Sequence, residues 1–534
     1  MTAPAPFRIL VADAISAEGL APLRSDPRFE VVERTGLKGD ELARAIADAD
    51  AVIVRSSTRI TRESLRCVGR LRVIGRAGVG VDNIDVDAAT ARGVAVLNAP
   101  SGNTISAAEL AFALILACVR RIPAADRSMK AGEWDRQSFT GTELYGKTLG
   151  LVGAGRIGGE VARRARAFGM RVVAYDPYLA PDRADTLELE LCTLAEVLAR
   201  ADVLSLHVPL TDSTAGMIGA AELARMKPGA CLVNAARGGV LDEAALAAAV
   251  RSGHIAVAGL DVFAVEPLPA DDPLRSLDRV VLTPHLGAAT EEAQHNVAVE
   301  IAAAVRAALA DGDLSRAVNA PAIGGEEMRR LRPLLELAER LGRIAATMAP
   351  GAAEHVAVRY SGPGDIAVRP IAAAALTGIL QHVVGAGAVN LVNALHIAES
   401  RGITTERARV GVHGPYEEFI ELKLRTNEGE ARVAGAVVAG RHPRIVRINR
   451  FRIVVRPHGS LIILQNRDVP GVIGRVGTLL GEAGINIAEY HQARTQAGQD
   501  ALAAIRVDGA IPEAVLRELG RLADVLSVAQ VDLD

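Results

Sequence analysis

The chain has 534 residues, half of them hydrophobic and 23% charged, which excludes a disordered polymer and implies several domains rather than one core. Lysine and arginine number 60 against 63 aspartates and glutamates, a formal net charge of -3, so no global field draws the molecule onto nucleic acid or a membrane. The four cysteines, Cys67, Cys118, Cys192 and Cys231, form no CxxC and lack metal-site spacing, the usage expected of a reduced, cytoplasmic protein.

Residues 1–6 lack the basic start and apolar run of a signal peptide. Residues 7–12 read as a strand, 42–49 have helical spacing, and 51–54, 73–74 and 94–97 read as further strands. Strands alternating with helices predict a parallel α/β sheet within residues 1–100. The turn-rich Asn98-Ala99-Pro100-Ser101-Gly102-Asn103 marks a hinge before a long helix over about 104–121. Its apolar run, 110–119, is too short to cross a bilayer. A second series starts at Thr148, with strands at 149–152, 172–175, 203–207, 231–234, 256–260 and 280–283. Six strands with helices between them predict a doubly wound dinucleotide-binding domain over 101–287. A helix at 291–309 would return the chain to the first domain, making that domain discontinuous (1–100 plus 288–318) and flavodoxin-like.

Beyond Asn319-Ala320-Pro321 a helix is expected at 326–348, with Leu331, Leu334, Leu335, Leu337 and Leu341 on one stripe. Residues 353–456 mix strands with an Ala-rich helical stretch near 370–400, an α+β intervening domain over 319–456. From Leu461 the order is strand, helix, strand, strand, helix, strand, a ferredoxin-like βαββαβ module over 460–534.

The predicted strand 149–152 leads into Gly153-Ala154-Gly155-Arg156-Ile157-Gly158. Glycines there permit a tight turn and let the backbone approach a pyrophosphate, with the positive end of the next helix aimed at it. Asp176 ends the following strand, about 20 residues on, where a carboxylate accepts hydrogen bonds from the adenosine ribose and repels a 2′-phosphate. The cofactor expected is therefore NAD rather than NADP. Three polar residues end later strands of the same series: Arg237 in Asn234-Ala235-Ala236-Arg237-Gly238-Gly239, Glu266 in Asp261-Val262-Phe263-Ala264-Val265-Glu266-Pro267, and His285 in Thr283-Pro284-His285-Leu286-Gly287. Carboxyl ends of parallel strands form the ligand crevice. Oxidising a hydroxyl needs a proton acceptor titrating near neutrality, which histidine supplies, and a neighbouring carboxylate would hold its ring. An arginine can grip a substrate carboxylate with two parallel hydrogen bonds.

These motifs, together with Arg76-Ala77-Gly78-Val79-Gly80-Val81-Asp82-Asn83-Ile84-Asp85, resemble those of the D-2-hydroxyacid dehydrogenase family, and within it the long phosphoglycerate dehydrogenases. The resemblance implies that His285 is the acid/base, Glu266 its partner and Arg237 the substrate-orienting cation. It implies an NAD site of Gly153, Gly155, Arg156, Ile157, Gly158, Asp176, Val208, Pro209, Ala235, Ala236, Arg237, Asp261, His285 and Gly287, with Asp261 facing the nicotinamide amide. It implies that the backbone of Gly78 and Val79 meets the substrate carboxylate, with Arg55, Ser56 and Asn103 as further substrate residues. The reaction implied is NAD-dependent oxidation of 3-phospho-D-glycerate, entering serine biosynthesis, in a homotetramer.

The last module, opening with Gln465-Asn466-Arg467-Asp468-Val469-Pro470-Gly471, resembles an ACT domain. By that resemblance Asp468 and Asn486, with Asn466, bind L-serine as a feedback inhibitor between paired modules. A basic cluster, His442, Arg444, Arg447, Arg450, Arg452 and Arg456, reads as an anion site or as a solvated strand face. The competing readings are a hydroxypyruvate or glyoxylate reductase and a non-catalytic NAD-sensing protein. The regulatory tail argues against the first, and the complete Arg237, Glu266 and His285 set against the second.

Overall fold

The computed structural model describes residues 5–363, 368–385, 387–411, 416–496, 498–509 and 511–534. Among these residues the chain forms four sheets. The first has five parallel strands, Phe7–Val11, Phe29–Glu33, Ala51–Val54, Val73–Arg76 and Ala95–Asn98, in the spatial order second, first, third, fourth, fifth. This is the flavodoxin-like order. Its edge strand Phe29–Glu33 is not among the predicted elements, because Phe-Glu-Val-Val-Glu shows no clean alternation. The helix Glu291–Asp311 returns to this sheet. Ile301 and Val305 lie against Gly75, where a Cβ would come within 2.7 Å of Val305 Cγ2. Asn319 then accepts the Val96 N–H at 2.8 Å, stitching the returning chain to the fifth strand.

The second sheet is parallel with seven strands in the order Val280–Leu282, Ile255–Leu260, Ala230–Asn234, Val203–Leu206, Thr148–Val152, Arg171–Tyr175, Glu190–Leu191. The expected six therefore gain an edge strand, two residues long and too short to leave a periodic signal. The order reverses beside Thr148–Val152, and a ligand crevice lies at such a switch point. The helix Thr104–Val119 crosses this sheet. Gly259 lets it approach, since a Cβ there would lie 3.0 Å from Cys118 Sγ. The helix stops two residues before its predicted end. Arg121, in the left-handed region at φ 54°, redirects the chain into a second helix, Ile122–Lys130.

The third sheet has six strands, with Thr404–Arg409 and Phe451–Val455 at its edges. It is covered by the helices Gly325–Met348 and Val368–Val384. The Ala-rich stretch near 370–400 is two helices, not one. Val368–Val384 ends at Gly385, at φ 104°, and Ala394–Ser400 starts after Asn390 accepts the Val392 N–H at 2.9 Å. Residue 386, within that stretch, lies outside the described residues. The fourth sheet is antiparallel, ordered Ile487–Arg494, Asp500–Val507, Ser460–Arg467, Val525–Asp532, as a βαββαβ module requires. One face of it, through Leu461, Ile463, Leu502 and Val531, joins the core of the third sheet. Among the described residues no helix is long and apolar enough to cross a membrane.

Candidate active site

The carboxyl edge of the seven-stranded sheet faces the first sheet across a cleft holding a cavity of about 370 Å³. At one end is the glycine turn. Gly153 has φ 92°, and a Cβ on it would sit 2.6 Å from the His207 carbonyl oxygen. A Cβ on Gly158 would overlap Gly153 O, so neither position admits a side chain. Gly155 faces open space, and the helix Arg156–Ala167 starts there with its free N–H groups outward. Asp176, just past the strand Arg171–Tyr175, accepts the Ala154 N–H at 2.9 Å and the Tyr178 N–H at 3.0 Å. Turn and acid are thus one rigid unit. An open, glycine-floored helix start beside a carboxylate fits a pyrophosphate with its ribose.

At the other end His285 Nδ1 lies 2.8 Å from Glu266 Oε2, and donation along that contact makes Nε2 the nitrogen that accepts a proton when the ring is neutral. Glu266 is itself held, its Oε1 accepting the Phe263 N–H at 3.0 Å. His285 has φ 55°, an unfavourable region for a non-glycine residue, and Asp261 supports the loop that imposes it. The fully buried Asp261 carboxylate accepts from Thr283 Oγ1 at 2.6 Å, Leu286 N–H at 2.7 Å and Gly287 N–H at 2.9 Å. Burial pushes its carboxyl up, and those hydrogen bonds oppose the shift. Asp261 lines the cavity, but both its oxygens already bind this loop, a role the sequence does not announce.

Arg237 follows the strand Ala230–Asn234. Buried Asn234 fixes its turn, donating to Arg237 O at 2.9 Å and accepting the Ala236 N–H at 3.1 Å. The guanidinium spans the cleft, donating from Nε to Asp82 Oδ2 at 3.0 Å and from Nη1 to Ala236 O at 2.6 Å. Gly80 makes room for it, because a Cβ there would overlap Arg237 Nη2. Val79, Asn103, Arg156, Ile157, Val208, Pro209, Ala235, Ala236 and Gly287 also line this cavity. Ser56 is exposed, and the Arg55 guanidinium turns to the Ala14 carbonyl at 3.3 Å, so neither forms part of the cavity wall.

Residues 112–287 match the family model of the D-isomer specific 2-hydroxyacid dehydrogenase NAD-binding domain, a span that contains the glycine turn, Asp176, Arg237, Glu266 and His285. Residues 330–449 match the D-3-phosphoglycerate dehydrogenase intervening domain, and 460–524 the ACT domain. A D-3-phosphoglycerate dehydrogenase of Archaeoglobus fulgidus is 42% identical over 99% of this chain and 100% of its own. One of Bacillus subtilis is 40% identical over 99% and 100%. The chain belongs to the D-3-phosphoglycerate dehydrogenase family. Among solved structures, the TT0316 protein from Thermus thermophilus superposes with a TM-score of 0.54 at 38% identity, over 58% of this chain and 99% of its own. The D-lactate dehydrogenase of Aquifex aeolicus, complexed with NAD and lactic acid, gives 0.51 at 29% identity, over 59% and 99%. NAD is the cofactor of this phosphoglycerate dehydrogenase fold, and the residues at the glycine turn fit it.

Two residues of this family member's cleft escape sequence reasoning. Arg76 ends the strand Val73–Arg76, and its guanidinium occupies the space a Gly78 side chain would need. Burial, with repulsion from Arg237 and Arg55, pushes Arg76 down to about 10. Its strand-end position matches that of Arg237, but the burial of its Nε, which sets it apart from a surface arginine, is not legible in the sequence. The second is His207, on the cavity wall beside the glycine turn. Its Nε2 bonds Ser205 Oγ at 2.9 Å, and its Nδ1 is buried without a partner among the described residues. Burial pushes His207 from 6.5 down to about 4. Between those values the unfolded chain binds a proton that the folded chain rejects, so stability rises with pH across the window and is lost on acidification. The ring's partial access to the cleft keeps this loss on the order of 2 kcal/mol. Urea midpoints measured across that window should slope less in His207→Gln than in wild type, and equal slopes would contradict this origin.

The regulatory candidates of this dehydrogenase do not meet within one chain. Asp468 follows Arg467, which pairs with Asp500, whereas Asn486 precedes Ile487, which pairs with Val507. They lie at opposite ends of the strand Asp500–Val507, roughly 25 Å apart at 3.4 Å per residue. Asp468 accepts from Arg494 Nη1 at 3.2 Å, and Asn486 donates to Asp508 at 2.7 Å. Asn466 is buried, donating to Arg467 O at 2.6 Å. The basic cluster does not act as one group either. Arg447 donates to Glu421 at 2.9 Å, and Arg450 pairs with Asp500.

Proposed function

We propose that this chain oxidises 3-phospho-D-glycerate to 3-phosphohydroxypyruvate with NAD, the first step of L-serine biosynthesis. The observation that carries the reading is the His285–Glu266 pair, 2.8 Å apart, on one cleft with Arg76 and Arg237. A carboxylate plus a phosphate brings close to three negative charges. Arg237 and Arg55 each stand near enough to Arg76 to repel it until such a ligand arrives.

NAD, when bound, supplies the hydride acceptor. His285 Nε2 accepts the proton of the C2 hydroxyl, and the Glu266 carboxylate stabilises the imidazolium that results. Arg237 grips the substrate carboxylate, and the amide of Val79 assists it, the N–H of Gly78 being donated to the Arg76 carbonyl at 2.8 Å. Arg76 neutralises the phosphate, and Arg55 joins it only by swinging in from the Ala14 carbonyl. Asp261 keeps His285 in place throughout. Ranking kcat/KM for 3-phosphoglycerate, D-glycerate and D-lactate tests the substrate. The phosphorylated acid should lead by about a hundredfold, the effect of one well-formed charge-assisted contact or two. Parity among the three would overturn the assignment.

The same reading extends to feedback by L-serine in a cytoplasmic homotetramer. Asp468 and Asn486 are too far apart to share a ligand in one chain, so the serine site would combine Asp468 of one copy with Asn486 of a second. The exposed Ile122, Met129, Trp134 and Tyr145 give such copies an apolar surface to bury. Inhibition curves should show serine slowing the wild type and Asn486→Ala escaping it. Equal inhibition of both would sink this part of the reading.

A further inference from the structure

The Asp82-Asn83 turn has no part in the mechanism above, yet it touches both sides of the cation set. Asp82 Oδ2 accepts from Arg237 Nε at 3.0 Å, joining residues 155 apart in sequence across the cleft. The next side chain, Asn83, donates from Nδ2 to the carbonyl of Arg55 at 2.6 Å and to that of Thr58 at 2.7 Å. Its own carbonyl accepts the Ile60 N–H at 2.9 Å. Two successive residues therefore fix an arginine carried by the seven-stranded sheet and the arginine loop of the five-stranded one.

We propose that the Asp82-Asn83 turn is a positioning element that sets the separation between the two anion grips of the cleft, and so selects 2-hydroxy acids with a second anionic group. The proposal rests on the assignment of Arg237 and Arg55 as those grips, Arg55 reaching the ligand by swinging in from the Ala14 carbonyl. Asp82 holds only the Nε of Arg237. A guanidinium has five N–H donors, so those on Nη2 remain for a substrate carboxylate. Asp82 also lies between cations that repel each other: Arg237 and Arg55 push Arg76 down, and Asp82 pushes it up. Its side chain is 61% exposed, and an ion pair that open adds little to folding stability. Its contribution is orientation: it keeps Arg237 directed into the cleft.

The test is a double-mutant cycle of wild type, Asp82→Asn, Arg237→Gln and the double variant. It reads kcat, KM, NAD affinity by calorimetry, and Tm. Asp82→Asn should leave Tm and NAD affinity near wild type and lower kcat/KM by about tenfold, the scale of one hydrogen bond to a charge. In the Arg237→Gln background the same change should cost less than about twofold, because the two act as a unit. Asn83→Ala should narrow the preference for 3-phosphoglycerate over D-glycerate by about fivefold, since its loss loosens the Arg55 loop and leaves it held by Asp13. Additive losses at positions 82 and 237, or an unchanged preference in Asn83→Ala, would overturn the proposal. The cycle is run on whichever 2-hydroxy acid the wild type turns over fastest. The wild-type ranking thus tests the substrate assignment, and the cycle tests the turn.

Discussion

His285→Ala will bind NAD with wild-type affinity and lose nearly all turnover. Its Nε2 is the free proton acceptor of the cleft: the wall's other histidine, His207, has Nε2 bonded to Ser205 Oγ and Nδ1 buried, and Asp261 commits both oxygens to the His285 loop, so neither replaces it. Removing a positioned general base costs about 10² to 10⁴ in rate. The nucleotide grip lies elsewhere, in the glycine turn and Asp176, and neither depends on the imidazole. The loss should therefore fall on kcat rather than on NAD affinity, as expected for an interaction used in the transition state. Calorimetric NAD titration beside steady-state kinetics separates the two. Turnover within about tenfold of wild type would remove His285 from the chemistry.

Gly80→Ala will behave like Arg237→Gln. The added Cβ meets the tip of Arg237, a flexible side chain rather than backbone, so the fold can yield by expelling the guanidinium. That expulsion breaks the Asp82 contact at 3.0 Å and takes the carboxylate grip out of the cleft. A charge-assisted contact to a buried carboxylate amounts to about 2–3 kcal/mol, or roughly a hundredfold in kcat/KM. Tm should hardly move. A Gly80→Ala enzyme with wild-type kcat/KM would mean that Arg237 has room to spare and does not grip the substrate as assigned.

The parts of this molecule that were legible in the sequence are those written in local patterns. The glycine turn, Asp176 and the strand-end positions of Arg237, Glu266 and His285 each follow from a strand, a turn and a helix met in succession. The His285–Glu266 hydrogen bond then needs only that both strand ends share one edge, which the parallel order provides. Other features depend on contacts between distant segments. Asp261 could be seen as a strand-end acid, but not that its oxygens are taken by Thr283, Leu286 and Gly287. The Arg447 and Arg450 pairs with Glu421 and Asp500 are equally non-local, and they dissolve a cluster that looked free in one dimension. Asp82 stood inside a recognised motif, yet its partner lies 155 residues away. Arg76 was missed for a simpler reason, since a strand-end arginine beside glycines reads as surface until burial is known. The two-residue strand Glu190–Leu191 carries no periodic signal at all.

The most direct test of the central claim is NADH formation by the purified chain given 3-phospho-D-glycerate and NAD, measured as an initial rate. The account predicts saturable turnover that depends on NAD and is not restored by NADP, because Asp176 repels a 2′-phosphate. No NADH from this acid, while a non-phosphorylated 2-hydroxy acid is oxidised under the same conditions, would contradict it.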